Sequence, residues 1–245
     1  MMIQFSVVEE SKLIYNKNMV EFEKLYNEIF AMLSLKYFWR DYSDGYKKGE
    51  SPDWYNSDDS VGIEVTQAIM QEDGEAQSVV NQYLGRQKAE IPEDILRRYE
   101  GRTYFYNDRL WAIMPEAGME ENLTACEKAL YRLGKKLERL NTNYTEFNTN
   151  ALYLYLHESS IANEEVTRFI RSAEEKQKDC ARKFDTVFLN CVNALRVVDM
   201  KNGSWETVHI PQDALVFMRS RTEQMRHGME WQDGTEFSMM EDSTK

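Results

Sequence analysis

Residues 52–66 read Pro-Asp-Trp-Tyr-Asn-Ser-Asp-Asp-Ser-Val-Gly-Ile-Glu-Val-Thr: a proline and an acid at the mouth of a loop, then a compact run rich in β-branched side chains. The run from Val61 to Thr66 has the composition of a strand covered by other elements. Glu64 stands in its middle, where a charge is costly unless it is paired, metal-bound or at the strand end. With a period of two, Ile63 and Val65 share one face while Gly62, Glu64 and Thr66 share the other, so Glu64 is expected to look into a polar cleft. Gly62 is expected to leave room on that face for a ligand or a metal. Asp53 is a second carboxylate, which a sheet can bring beside the first.

Ahead of this stretch, Phe22, Leu25, Tyr26, Ile29 and Leu33 recur at helical spacing and predict an amphipathic helix over residues 12–35, with Glu21 and Glu28 beside its buried stripe. Residues 36–46 read as a short aromatic strand that breaks at Ser43-Asp44-Gly45, and residues 47–60 as a loop. After it, residues 67–114 give weaker signals: helices at 75–84 and 92–99, strands near 103–106 and 110–114. The strongest helix covers residues 119–141, where Leu123, Cys126, Leu130, Leu133, Leu137 and Leu140 form one stripe. That stripe is too short for a coiled coil and predicts packing on a sheet.

Strands at 151–157 and 184–192 flank a charged helix at 163–182. A hairpin of residues 194–199 and 205–210 turns on Asn202-Gly203, and Pro211 suits the first turn of a helix running towards His227. The order predicts an α/β protein with a mixed central sheet flanked by helices. No linker forces a division, so residues 1–227 are expected to form a single α/β domain and residues 228–245 an acidic flexible tail.

The apolar content of 42% over 245 residues can close a real core. A net charge of −12 argues against a protein that coats nucleic acid or an anionic membrane, while leaving space for a local basic groove. Charge is uneven: residues 1–75 hold 15 acids and 7 bases, whereas Lys128, Arg132, Lys135, Lys136 and Arg139 gather on one helix as either a solvated face or an anion-binding surface. No apolar stretch reaches the roughly 18 residues that span a bilayer, and Cys126, Cys180 and Cys191 are spaced as reduced thiols, so a cytoplasmic protein without membrane contact is expected. His157, His209 and His227 lack metal-ligand spacing, and glycine-rich phosphate loops, Gly-x-Ser-x-Gly and His-Glu-x-x-His are missing.

Pro52-Asp53, the loop, the strand Gly62-Ile63-Glu64-Val65-Thr66, a preceding helix with an acid and a long following helix resemble the PD-(D/E)XK nuclease-like superfamily. The resemblance spans roughly residues 10–199 and includes the passage from Lys135-Lys136-Leu137-Glu138-Arg139-Leu140-Asn141 to the strand at 151–156. It implies a restriction-endonuclease-like core and Mg²⁺- or Mn²⁺-dependent hydrolysis of DNA or RNA. It also implies metal ligation by Asp53 and Glu64, with Glu21 or Glu28 in support. The chain departs from the family at Thr66, where lysine is usual. Lys136, flanking the stripe of Leu133, Leu137 and Leu140, is the strongest stand-in, and could offset charge on an attacking hydroxide or on the phosphate. In the competing reading Asp53 opens a turn, Glu64 pairs with a base and Lys136 runs along the core edge. The protein is then a non-catalytic interaction protein with a degenerate nuclease-like fold, its acidity suited to a basic protein partner.

Overall fold

Alternation along residues 61–67 separates the two layers that cover the sheet, and the rest of the architecture follows from it. The computed structural model describes residues 24–38, 45–58, 60–69, 71–114, 123–156, 160–228, 232, 234, 235 and 237. In chain order these form helix α1 (residues 24–38) and strands β1 (Lys47–Lys48), β2 (Trp54–Asn56) and β3 (Val61–Gln67). Helices α2 (Gln71–Tyr83) and α3 (Glu93–Arg98) and strands β4 (Thr103–Tyr106) and β5 (Arg109–Ile113) follow. The chain then runs through α4 (Ala125–Thr142), β6 (Thr149–Tyr155), α5 (Asn163–Gln177), β7 (Thr186–Cys191), β8 (Ala194–Asp199), β9 (Ser204–His209) and α6 (Gln212–Gly228).

The fold is α/β. Seven strands form one mixed sheet in the order β1-β2-β3-β6-β7-β8-β9, with β3, β6 and β7 parallel and the other pairings antiparallel. The chain separates into two compact units, residues 25–68 with 124–245 and residues 1–24 with 69–123. The single domain expected over residues 1–227 therefore carries a nested second unit. Its described part has a core of its own: Ala76, Ile91, Tyr99, Leu110 and Ile113.

In the larger unit, Ile63, Val65, Ala151, Tyr153 and Phe188 face one way and pack with Ile29 and Leu33 of α1 and Leu215 and Met218 of α6. Leu152, Leu154, Val187 and Leu189 face the other way and meet Leu133, Leu137 and Leu140 of α4 and Val166, Phe169 and Ile170 of α5. Each of the buried valine, leucine, isoleucine, phenylalanine and methionine side chains among these contributes about 1.5–3 kcal/mol by leaving water. Helix α4 starts at Ala125 because Thr124 caps it: the Glu127 amide donates to Thr124 Oγ1 at 3.2 Å and the Thr124 amide to Glu127 Oε2 at 2.7 Å. No helix among the described residues is long and apolar enough to cross a membrane.

Three expectations change. Residues 36–38 continue α1 and do not open a strand; Tyr37 and Phe38 stack on each other, and Tyr37 also meets Phe217 of α6. The loop expected over residues 47–60 contains β1 and β2, which are too short to leave a periodic signal and are held by the fully buried Trp54 opposite Ile63. Nor is the described part of the tail free. The Lys48 amide donates to the Thr235 carbonyl and the Gly234 amide to the Lys48 carbonyl, each at 2.7 Å. Phe237 is buried edge-on against Trp54 at 5.4 Å.

Candidate functional site

The antiparallel register that sets Trp54 opposite Ile63 puts Asp53 beside Glu64, one step along, on the face of the sheet that turns towards α4. Asp53 lies just ahead of β2, where its carboxylate takes over the ladder: Val65 N–H donates to Asp53 Oδ2 at 2.8 Å. Helix α4 then lays Lys136 over the pair, and its ammonium donates to Glu64 Oε1 as a buried ion pair. Lys136 follows Leu133 by three residues and precedes Leu137, so its stem runs along the packed stripe while its head reaches the sheet. The three groups thus come from β2's approach, from β3 and from α4, and meet on one face.

Glu64 is 4% exposed and Asp53 1%. Burial raises the Glu64 pKa, the Asp53 carboxylate raises it further, and Lys136 and the Tyr144 hydroxyl pull it back down. Tyr144 is held protonated, its phenol pushed well above its ordinary value by burial and by the Glu64 charge. Tyr144 lies in the helix-to-strand passage that the resemblance includes, but no site role is read for it; it sits just past the end of α4. Arg182 fixes this turn by donating to the carbonyls of Tyr144 at 2.8 Å and Thr145 at 2.6 Å.

Glu64 Oε2 is buried, and the Tyr144 hydroxyl approaches the Glu64 carboxylate as a hydrogen-bonding neighbour besides Lys136. With the Asp53 carboxylate alongside, this leaves an oxygen donor pair of the kind that suits a hard divalent cation. Among the described residues no group of three or more His, Cys, Asp or Glu converges.

Of the two supporting acids expected from the first helix, Glu28 is not at this site. Glu28 is buried on the opposite face of the sheet, paired with Lys48 at 3.0 Å. Lys48 is the register partner of Trp54 and shares its side, and the Trp54 indole donates to the Glu28 carbonyl at 3.1 Å. Glu21 lies outside the described residues. Gly62 leaves no room for a ligand: a β-carbon there would come within 2.9 Å of both the Phe147 ring and Pro52 Cγ. The glycine serves close packing of that ring and that proline against the strand.

No family model, curated protein or solved structure matches the chain. The site therefore rests on its own geometry. Beside it opens a cleft of about 650 Å³ lined by Pro52, which precedes Asp53, by Asn143 and Thr145 on either side of Tyr144, and by Tyr55 and Phe147. Its charged lining is acidic, from Glu50 and Glu146. Of the basic surface expected on α4, Lys136 is turned inward to Glu64, and burial lowers the pKa of Arg132.

Proposed function

We propose that the protein is a Mg²⁺- or Mn²⁺-dependent phosphodiesterase acting on DNA or RNA, built on a restriction-endonuclease-like core. The observation that carries this reading is the convergence of Asp53, Glu64 and the Lys136 ammonium on one face of the sheet. The order of elements supports it: a first helix, the antiparallel strands β1 to β3, the long helix α4 and then the parallel strand β6. That is the order the sequence resemblance implies, with Lys136 in the role of the lysine that Thr66 replaces.

Asp53 and Glu64 would hold the cation, which when bound supplies an acidified water and neutralises phosphate charge. Lys136 favours the ionised form of Glu64, working against the desolvation and the Asp53 repulsion that raise its pKa. The same ammonium places a fixed positive charge where a phosphate would gain negative charge in the transition state. Because Glu50 and Glu146 line the adjoining cleft, a phosphodiester entering there depends on the cation and on Lys136 for its charge balance.

Glu64→Gln keeps the shape of the side chain and removes its charge. In Mg²⁺ it should abolish cleavage of supercoiled plasmid and of labelled single strands while the circular dichroism spectrum is unchanged. A variant that cleaves as the wild type does sinks the assignment. Near-complete burial of both carboxylates favours a second reading, in which the cluster is structural and the protein is a non-catalytic, acidic partner for a basic protein. Wild-type protein that neither cleaves nor takes up Mg²⁺ or Mn²⁺ selects that reading.

A further inference from the structure

In the smaller unit β4 and β5 form a two-stranded antiparallel sheet closed by Asn107 and Asp108, both at positive φ. The register partners Phe105 and Leu110 turn to that unit's core, where Val79, Val80 and Tyr83 of α2 and Ile95 and Leu96 of α3 meet them. The alternate residues turn the other way. Tyr104 is 58% exposed, and Tyr106 and Trp111 are each 68% exposed. An irregularity in the register between Tyr104 and Phe105 brings Trp111 beside Tyr106, with ring centroids 6.4 Å apart. Arg109, the register partner of Tyr106, is exposed and donates to the Gly85 carbonyl at 2.7 Å, which holds its guanidinium at the end of the row.

Charge divides across this unit. Arg86, Lys88, Arg102 and Arg109 flank or belong to the hairpin, against the acids Glu90, Glu100 and Asp108, and Lys88 Nζ stands 5.5 Å over the Phe105 ring. The acids Glu75, Glu93 and Asp94 belong, with the bases Arg97 and Arg98, to α2 and α3, the helices that pack on the hairpin's inner side. In a chain of net charge −12, the aromatic row thus lies with a local surplus of cations. Exposed flat rings interleaved with basic side chains suit unpaired bases on a phosphate backbone, since every base offers a π face and every link a negative charge.

We propose that this face binds single-stranded nucleic acid, with bases stacked on Tyr104, Tyr106 and Trp111 and phosphates met by Arg109. The inference stands apart from the carboxylate site and is tested with that site silent. Full-length protein in EDTA is titrated into fluorescein-labelled oligo-dT, oligo-rU and a duplex, each of roughly 12 nucleotides, and followed by anisotropy.

Either single strand should bind more tightly than the duplex, and the dT and rU arms show whether DNA or RNA is preferred. Trp111→Ala and Tyr106→Ala should each weaken binding about fivefold or more, with the melting temperature unchanged because both rings are solvent-exposed. Arg109→Gln should flatten the salt dependence. Failure to bind single strands, or ring variants that bind like wild type, overturns the inference. So does a face whose variants disturb self-association or a protein complex and leave oligonucleotide binding intact.

Discussion

Replacing Lys136 by methionine keeps the length of the stem and removes the ammonium that Glu64 faces. The Lys136 side chain is 13% exposed and that of Glu64 5%, so the pair is shielded from solvent, and Asp53 stands on the other side of Glu64. Removing one partner of such a pair strands a buried charge and costs about 3–5 kcal/mol. The residual exposure of Lys136 and the nearby Tyr144 hydroxyl place the expectation near the lower bound, ~3 kcal/mol, or a fall in melting temperature of about 6–12 °C for a chain of this size.

The loss should depend on pH in a stated direction. Burial and Asp53 already raise the Glu64 pKa, and without Lys136 it rises further. A carboxyl whose folded pKa lies above its unfolded value of about 4.3 binds its proton more tightly in the native state. Its contribution is complete below the unfolded value and is lost as pH rises through the folded value. Lys136→Met should therefore be close to wild type near pH 5 and most destabilised near pH 8. Adding Glu64→Gln should recover most of the loss, since no charge is then stranded. Urea unfolding followed by circular dichroism at both pH values, for the single and double variants, reads all three effects. A loss under about 1 kcal/mol that is equal at both pH values is the signature of a surface ion pair and would refute the reasoning.

Two further outcomes follow from packing. Gly62→Ala should destabilise by about 1–3 kcal/mol, because its new carbon meets the buried Pro52 ring and the Phe147 ring at 2.9 Å, and neither yields without moving the Asp53 loop; urea melts check this. Burial pushes the Cys126 thiol up to about 12, and Cys191 is buried. A maleimide at neutral pH should accordingly modify Cys180 and spare the other two until denaturant is added, as read by mass spectrometry.

What the sequence revealed and what it hid divide along physical lines. The β-branched run at 61–66, the leucine stripe of α4 and the Asn202-Gly203 turn are local signals strong enough to survive folding unchanged, and they frame the sheet. Lys136 could be picked out because a helical wheel fixes its angle relative to Leu133 and Leu137. Glu28 was misplaced because a helix periodicity says which stripe is buried but not which face of the sheet it meets. Strands β1 and β2 were invisible because two or three residues are too few to show a period, and the Phe237 ring that docks on Trp54 comes from far along the chain. Tyr144 belongs to a turn after α4 that Arg182, from the segment between α5 and β7, fixes through side chain to backbone hydrogen bonds, which carry no pattern along the chain. The aromatic face of the β4–β5 hairpin was legible as two strands, while its exposure depended on knowing which rings the small core takes in.

Calorimetric titration with Mn²⁺ at pH 8 tests the central claim most directly, because it reads cation binding without requiring a substrate. Wild-type protein should show one saturable site. Asp53→Asn and Glu64→Gln should each lose it with their folds intact, and binding to wild type should weaken towards acid pH as Glu64 takes up its proton. Wild-type protein that gives no heat, or carboxylate variants that bind Mn²⁺ as tightly as wild type, would contradict the account.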